Sequence, residues 1–323
     1  MLKKIKQKIL ISIAVAGLIY LAFTIYADYQ QVAEAFKLFN WLLFPVLLLL
    51  SLANYFCRFF KWDYYLSVLS IKMKKIDSLS IFMSGLIMSV TPGKMGELLK
   101  AYLVKEVNGT PISKTAPIVF VERITDFVSL LFIALAGAYI YDYGREIVLA
   151  VTVFFIVVLV VLSNKGIALP LIGIAEKIKF IRKRIENIHT AYESSYLMLK
   201  PLPLVYMTLL SLCSWAFECL GYFVVLKNFN INTDMMWASF SYCFGTIVGA
   251  ISLLPGGLGV TEGSLTFMLV QHGASTDVAV ASTFIIRVVT LWFAVFVGVI
   301  SVSFYQKRFG KIKLEIDSLR STE

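Results

Sequence analysis

The amino-acid sequence predicts an all-α polytopic membrane protein of about six transmembrane helices with two re-entrant, broken-helix hairpins in an inverted repeat. Three observations carry that prediction. Of the 323 residues, 59% are apolar and only 15% charged, and the mean hydropathy is +0.81, so apolar runs long enough to cross a bilayer are expected. The basic residues behind the net charge of +10 fall mainly between those runs, as topology determination requires, which argues against nucleic acid as a partner. Finally, two apolar segments are broken at a Pro-Gly pair: VTPGKMGE (90–97) within residues 80–104, and LLPGGLGVTEG (253–263) within residues 237–270. Unpaired backbone groups are costly in hydrocarbon, so such a break survives only where protein or a watery cavity satisfies it.

Residues 1–38 hold a first helix and an outer loop. The start MLKKIKQK precedes an apolar run over residues 9–26, too long for a signal-peptide core and followed by no clear cleavage site. It is expected to be an uncleaved helix with Lys3, Lys4, Lys6 and Lys8 in the cytoplasm. A second span over residues 39–60 opens at Trp41 and closes at Arg58, Lys61 and Trp62, a basic and aromatic girdle suited to the interface. After the first break, Lys100 and Lys105 are placed at the membrane edge. The third span, 116–141, carries VERITD at 121–126, and the fourth covers 147–163. Within the linking segment 142–200, Leu171, Ile174, Ile178, Ile181, Ile185, Ile188 and Tyr192 recur three and four residues apart. With Lys177, Lys179, Arg182, Lys183 and Arg184 beside it, that stripe predicts one amphipathic helix on the anionic cytoplasmic leaflet, or else a coiled-coil seam. The fifth span, 202–226, contains Glu218; the last, 278–305, carries Arg287 and leads into a basic cytoplasmic tail over 306–323. Both termini are thus placed in the cytoplasm of a cell-membrane protein.

The halves 39–141 and 201–305 align at an offset of about 164 residues. Pro92 meets Pro255, and ERITD around Arg123 meets IRVVT around Arg287. A hairpin that adds no net crossing and two true spans separate the second span from the fifth, so the fifth runs opposite to the second and the repeats are inverted. The hairpins then enter from opposite faces, and their tips meet near the midplane. A duplicated packing motif without transport is the other reading.

Lys94, Glu97, Glu122, Arg123, Asp126, Glu218, Glu262 and Arg287 lie in apolar segments. Each costs about 2.5–3.5 kcal/mol at the centre of a lipid-facing helix, so they are expected to face one another or water. Glu122 and Asp126, Arg123 and Asp126, and Lys94 and Glu97 have the spacing of one helical face. Structural ion pairs would satisfy them, and so would a substrate site. Glu262 also suits the first turn of a returning half-helix, and Thr91 with Pro92 an N-cap and N1 pair. On the substrate reading, Lys94, Arg123 and Arg287 attract a phosphate beside the half-helix N-termini, while Glu97, Glu122, Asp126, Glu218 and Glu262 bind a cationic headgroup or protons. Five acids then face three bases, which motivates a coupled proton or a cationic substrate. Thr91, Pro92, Gly93, Gly96, Pro255, Gly256, Gly257 and Gly259 form hairpin backbone that a headgroup or a facing chain can approach closely. The four cysteines and two histidines lack metal-ligand spacing, and neither a P-loop nor a DxD motif occurs, so no metal, cofactor or catalytic centre is expected.

Four motifs occur in the order TPGKMGELLKAYLV (91–104), VERITD (121–126), LLPGGLGVTEG (253–263) and FIIRVVT (284–290). On these the chain resembles the flippase-like transmembrane domain of lysylphosphatidylglycerol synthases, a family that includes stand-alone membrane proteins of the UPF0104 type. The resemblance implies a flippase-like transporter that moves a phospholipid or glycolipid headgroup between leaflets through the charged midplane site. Membrane lipids are then the partners, with a second copy or a separate lipid-synthesising enzyme as protein partners. In fused relatives a separate C-terminal domain performs aminoacyl transfer; this chain ends at Glu323, so neither synthase activity nor a lysyl-lipid substrate is expected. The alternatives are an ion-coupled exporter of a small solute and a membrane enzyme acting on polyprenyl-phosphate sugars.

Overall fold

The computed structural model describes residues 29–91 and 96–310, and no strand occurs among the described residues. The first predicted helix (9–26), the tip residues Pro92, Gly93 and Lys94, and the tail beyond residue 310 lie outside the described residues. Four helical stretches are long and apolar enough to cross a membrane: Trp41–Val68, Arg145–Ser163, Pro201–Asn228 and Thr276–Phe309. A fifth long helix, Ile112–Tyr141, carries the charges of VERITD, and Met235–Ile251 is a shorter apolar one.

Helix α1 (Tyr29–Leu38) precedes a 3-10 turn, Trp41–Leu43, capped by Asn40 Oδ1, which accepts from the Leu42 amide at 3.1 Å. The turn runs into α2 (Phe44–Val68). This helix passes the girdle expected near residue 60 because Lys61 and Trp62 face the protein interior, at 1% and 0% exposure. After α2, α3 spans Lys75–Gly85 and is followed by a 3-10 turn, Leu86–Met88. The chain breaks there. Thr91 Oγ1 donates to the Met88 carbonyl at 2.7 Å and accepts from the Gly96 amide at 2.9 Å, so one hydroxyl bridges the two sides of the break. Helices α4 (Leu99–Asn108), α5 (Ile112–Tyr141) and α6 (Arg145–Ser163) follow. In α6 Val148 is the one fully buried residue; Val151, Phe155, Val158 and Leu162 pack partly on the cores, and the exposed opposite side is apolar, as suits lipid.

The basic linking segment is not one amphipathic helix. It divides into α7 (Lys165–Glu176), α8 (Lys179–Arg182) and α9 (Ile185–Met198), with extended backbone at Ile178. The end of the stripe is buried, since α9 packs on α5 with Tyr192 and Met198 inside, whereas Leu171, Ile174 and Ile178 stay exposed. Periodicity alone could not separate a face turned to protein from one turned elsewhere.

Helix α10 (Pro201–Asn228) runs antiparallel to α2. The Asn40 amide reaches Asn228 Oδ1 at 3.1 Å at one end, Asn54 Nδ2 donates to the Ser214 carbonyl and Oγ at 2.9 and 2.8 Å midway, and Lys61 Nζ meets Ser211 Oγ at 2.7 Å toward the other. Both helices end in the same way. Ser70 and Asn230 take left-handed φ of 56° and 54°, and the next amides, Ile71 and Ile231, reach back to Leu66 and Leu226 carbonyls at 2.8 and 3.1 Å.

The second break repeats the plan of the first. Helix α11 (Met235–Ile251), capped by Asp234, gives way to a 3-10 turn, Pro255–Gly257, and then α12 (Val260–Gln271). Gly256 and Gly257 lie at φ of 61° and 67°, where a Cβ is penalised. The two breaks touch: Val90 from the first and Leu258 from the second share one apolar cluster with Leu291 and Val295, set apart from two larger cores.

The last stretch is one line of helix in three parts, α13 (Thr276–Arg287), a π segment (Val288–Trp292) and α14 (Phe293–Phe309). The π register loosens two carbonyls that α2 collects: Ser51 Oγ donates to Val289 O at 2.6 Å and Tyr55 OH to Thr290 O at 2.8 Å. At Gly298 a Cβ would strike the Ile87 backbone, so α14 lies directly on the 3-10 turn before the first break.

Candidate functional site: a layered charge cluster beside a cavity

Charged side chains on α2, α4 and α5 meet in two layers. In the inner layer, Lys61 pairs with Asp126 and also bonds Thr125 Oγ1 at 3.2 Å, while Lys100 Nζ bonds Glu122 Oε2 at 2.6 Å. Both lysines are sealed, at 1% and 2% side-chain exposure, and Lys100 Nζ lies 4.8 Å from the Trp62 ring centroid and 5.1 Å from that of Phe82. The outer layer is made of arginines. Arg123 Nη2 bonds Glu97 Oε2 at 2.9 Å and Nη1 lies 3.3 Å from Asp126 Oδ2; Arg58 Nη2 is 3.8 Å from Glu97 Oε1. Their side chains are 18% and 13% exposed.

The second half contributes a matching pair. Arg287 on α13 donates from Nε to Glu262 Oε1 at 2.7 Å and from Nη2 to the Gly256 carbonyl at 2.6 Å, so it holds the second break directly. Glu262 Oε2 accepts from the Gly259 amide at 2.8 Å in the first turn of α12, so the acid serves both helix start and arginine. Glu218 on α10 accepts from Tyr242 OH at 2.7 Å.

These groups border a cavity of about 650 Å³. Arg58, Arg123, Asp126, Glu218 and Arg287 line it together with residues of both breaks, Thr91 from the first and Gly256 and Gly257 from the second. Its other wall is apolar, with Phe127, Leu130, Phe155 and Trp215 inside and Ala150, Phe154, Ile251, Leu253 and Leu254 at an edge that is exposed on the outside of the molecule. Leu253 holds a left-handed φ of 54°, a strained conformation for a side chain of this size.

Of the predicted site residues, Arg123, Asp126, Glu218 and Arg287 face the cavity; Glu97 and Glu262 stand behind the arginines, and Glu122 is turned inward to Lys100. Lys94 lies outside the described residues. Arg58, Lys61 and Lys100, expected at membrane edges, belong instead to the cluster. The signal for them was spacing: Lys61 follows Arg58 by three residues and Lys100 follows Glu97 by three, one helical face each. Their inclusion also corrects the charge count. Among the described residues Arg58, Lys61, Lys100, Arg123 and Arg287 offset Glu97, Glu122, Asp126, Glu218 and Glu262, so the excess of acid that motivated a coupled proton is gone.

Comparison with known proteins gives one consistent result. The family described as Lysylphosphatidylglycerol synthase TM region matches residues 9–298. A UPF0104 membrane protein of Methanocaldococcus jannaschii is 28% identical over 215 residues, 66% of this chain and 91% of the relative. Two UPF0104 membrane proteins of Methanothermobacter thermautotrophicus are similar at 24% identity over 314 residues and 23% over 272, covering 90% and 76% of this chain and 92% and 80% of the relatives.

Proposed function

This chain belongs to the lysylphosphatidylglycerol synthase TM region family, and from that membership and the cavity we propose that it moves a phosphate-bearing lipid between leaflets. One observation carries the reading. A single cavity joins a polar wall of three arginines and two acids to an apolar wall that ends at exposed Ala150, Phe154, Ile251, Leu253 and Leu254. A headgroup on the arginines can then leave its acyl chains in the bilayer, since arginine suits phosphate and the apolar edge suits lipid. A small-solute exporter needs a vestibule that meets water alone, and an apolar edge of this kind is a poor wall for one.

The two halves act as inverted repeats. Antiparallel α2 and α10, their shared Ser70 and Asn230 caps, and the contact of Val90 with the Leu258 cluster all support hairpins that enter from opposite faces and meet at the cavity. Asn54 and Ser214, separated by the same interval as the Ser70 and Asn230 caps, touch where a two-fold axis relating the halves would pass. Basic residues between the spans favour cytoplasmic termini.

The test is transfer of a tail-labelled phospholipid in liposomes containing the purified chain. Arg123→Ala and Arg287→Ala are each expected to slow transfer about tenfold or more, the equivalent of a charge-assisted bond of roughly 1.5–3 kcal/mol. Ala150→Trp, which narrows the apolar edge and leaves every charge in place, is expected to slow it comparably. Folded variants that all transfer lipid at the wild-type rate would rule the proposal out.

A further inference from the structure

Glu97 lies in the 3-10 turn (96–98) that leads into α4, and its carboxylate is shared. Oε2 accepts from Arg123 Nη2 at 2.9 Å and lies 3.5 Å from Lys100 Nζ, while Oε1 lies 3.8 Å from Arg58 Nη2. Of the neighbouring carboxylates, Asp126 pairs with Lys61, Glu122 with Lys100 and Glu262 with Arg287. Two cavity-facing arginines therefore lean chiefly on one acid, with Asp126 as the second contact of Arg123. Arg123 Nε is buried and has no hydrogen-bond acceptor among the described residues. A carboxylate and a phosphate present the same pair of oxygens to an arginine fork.

We infer that Arg58 and Arg123 bind an anionic phosphate from the cavity side, and that Glu97, behind them, is the anion they give up when the substrate binds. Glu97 is on this account an internal competitor of the headgroup, the reverse of a contact for a cationic one. The exchange is local and conserves charge at the arginines, which a buried cation pair requires. It also frees the tie from the start of α4 to α2 and α5, beside the wall that borders the cavity. The inference rests on the lipid-transfer reading for the identity of the phosphate's carrier, and on the ion pairs for the subsite itself.

Titration of the full-length purified chain with dihexanoyl phosphatidate, and separately with inorganic phosphate, tests it. Glu97→Gln keeps the side-chain shape and removes the competing charge, so the dissociation constant for phosphatidate is expected to fall about tenfold or more. Arg58→Gln is expected to raise it by a similar factor. Binding by Glu97→Gln no tighter than wild type overturns the inference. If that variant does not fold, Glu97→Asp, which draws the carboxylate back by one methylene, is expected to tighten binding by roughly threefold or more, and unchanged or weaker binding overturns the inference equally. Tightening toward both ligands supports a subsite open to free phosphate, and tightening toward phosphatidate alone supports a lipid subsite. Lipid transfer measured on the same preparations keeps the two readings apart. Tightening without any transfer by the wild type leaves the subsite and removes the transporter; transfer without tightening does the opposite.

Discussion

Lys61 shows at the scale of one residue what burial of charge costs and what holds it. Its ammonium meets Asp126, Thr125 Oγ1, Ser211 Oγ and the Glu122 carbonyl, all on α5 or α10, so it ties three helices at one point. Lys61→Met would leave Asp126 with Arg123 at 3.3 Å and the Ser211 hydroxyl at 3.0 Å. Removing one partner of a buried pair costs about 3–5 kcal/mol, and the loss here is expected near the lower figure because Arg123 remains. The double variant Lys61→Met with Asp126→Leu is expected to recover much of that loss, because an apolar pair of similar size replaces the ions. Thermal unfolding in detergent reads both; a double variant less stable than Lys61→Met would show that Asp126 is held by its remaining partners, Arg123 and Ser211, rather than left as an uncompensated charge. The same residue marks the limit of what the sequence discloses. A lysine near the end of an apolar run has the position of an interface residue, and only pairing with Asp126, 65 residues away, makes it interior. Lys100 is hidden likewise, since its acid Glu122 is 22 residues off and on another helix. Arg123, Glu262 and Arg287 were legible because each interrupts an apolar run that nothing else explains.

Helix ends and breaks follow local chemistry closely, and this is why the two interrupted segments were readable while the linking segment was not. Pro-Gly inside apolar sequence leaves few alternatives to a break, whereas the stripe at 171–192 satisfies a helix pattern that Ile178 and the packing of α9 then divide. The π segment was not foreseeable either, because it is held by Ser51 and Tyr55, two hydroxyls of a distant helix. A cap yields a sharper expectation. Asp234 starts α11 by accepting from the Trp237 amide at 2.7 Å, and that bond, followed by the Tyr141 hydroxyl, holds its carboxyl below the usual range. A depressed folded value adds stability that is fully present above the unfolded range, about pH 4, and is lost as pH falls through the lower folded value. Asp234→Asn preserves a capping oxygen and is expected to leave neutral stability nearly unchanged while flattening this acid limb. Asp234→Ala is expected to cost about 0.5–2 kcal/mol at neutral pH. Unfolding midpoints between roughly pH 3 and 7 check both variants, and an acid limb in Asp234→Asn as steep as in wild type would assign it to another group.

For the whole molecule, the important distinction is between contacts that must hold still and contacts that must exchange. The crossing of α2 and α10, where Asn54 meets Ser214, joins the halves by paired buried hydrogen bonds and sits on the axis that would relate them. On the proposed alternating-access reading, a pivot of this kind keeps its length as the halves rock. The cluster of Val90 with Leu258 is small, apolar and set apart from the two large cores, and it is where the breaks meet beside the cavity. On the proposed lipid-transfer reading, alternating access is expected to part that contact, because the two breaks meet there. In a chain with its four cysteines replaced, Asn54→Cys with Ser214→Cys and Val90→Cys with Leu258→Cys are both expected to cross-link on oxidation. Their consequences should differ. The first bond is expected to leave tail-labelled lipid transfer within about twofold of the reduced protein, and the second to bring it to the protein-free background, with reduction restoring it. Transfer that survives the Val90 to Leu258 bond would mean that lipid passes without the tips separating, and the cavity would then work as a fixed groove rather than as one state of an alternating pair.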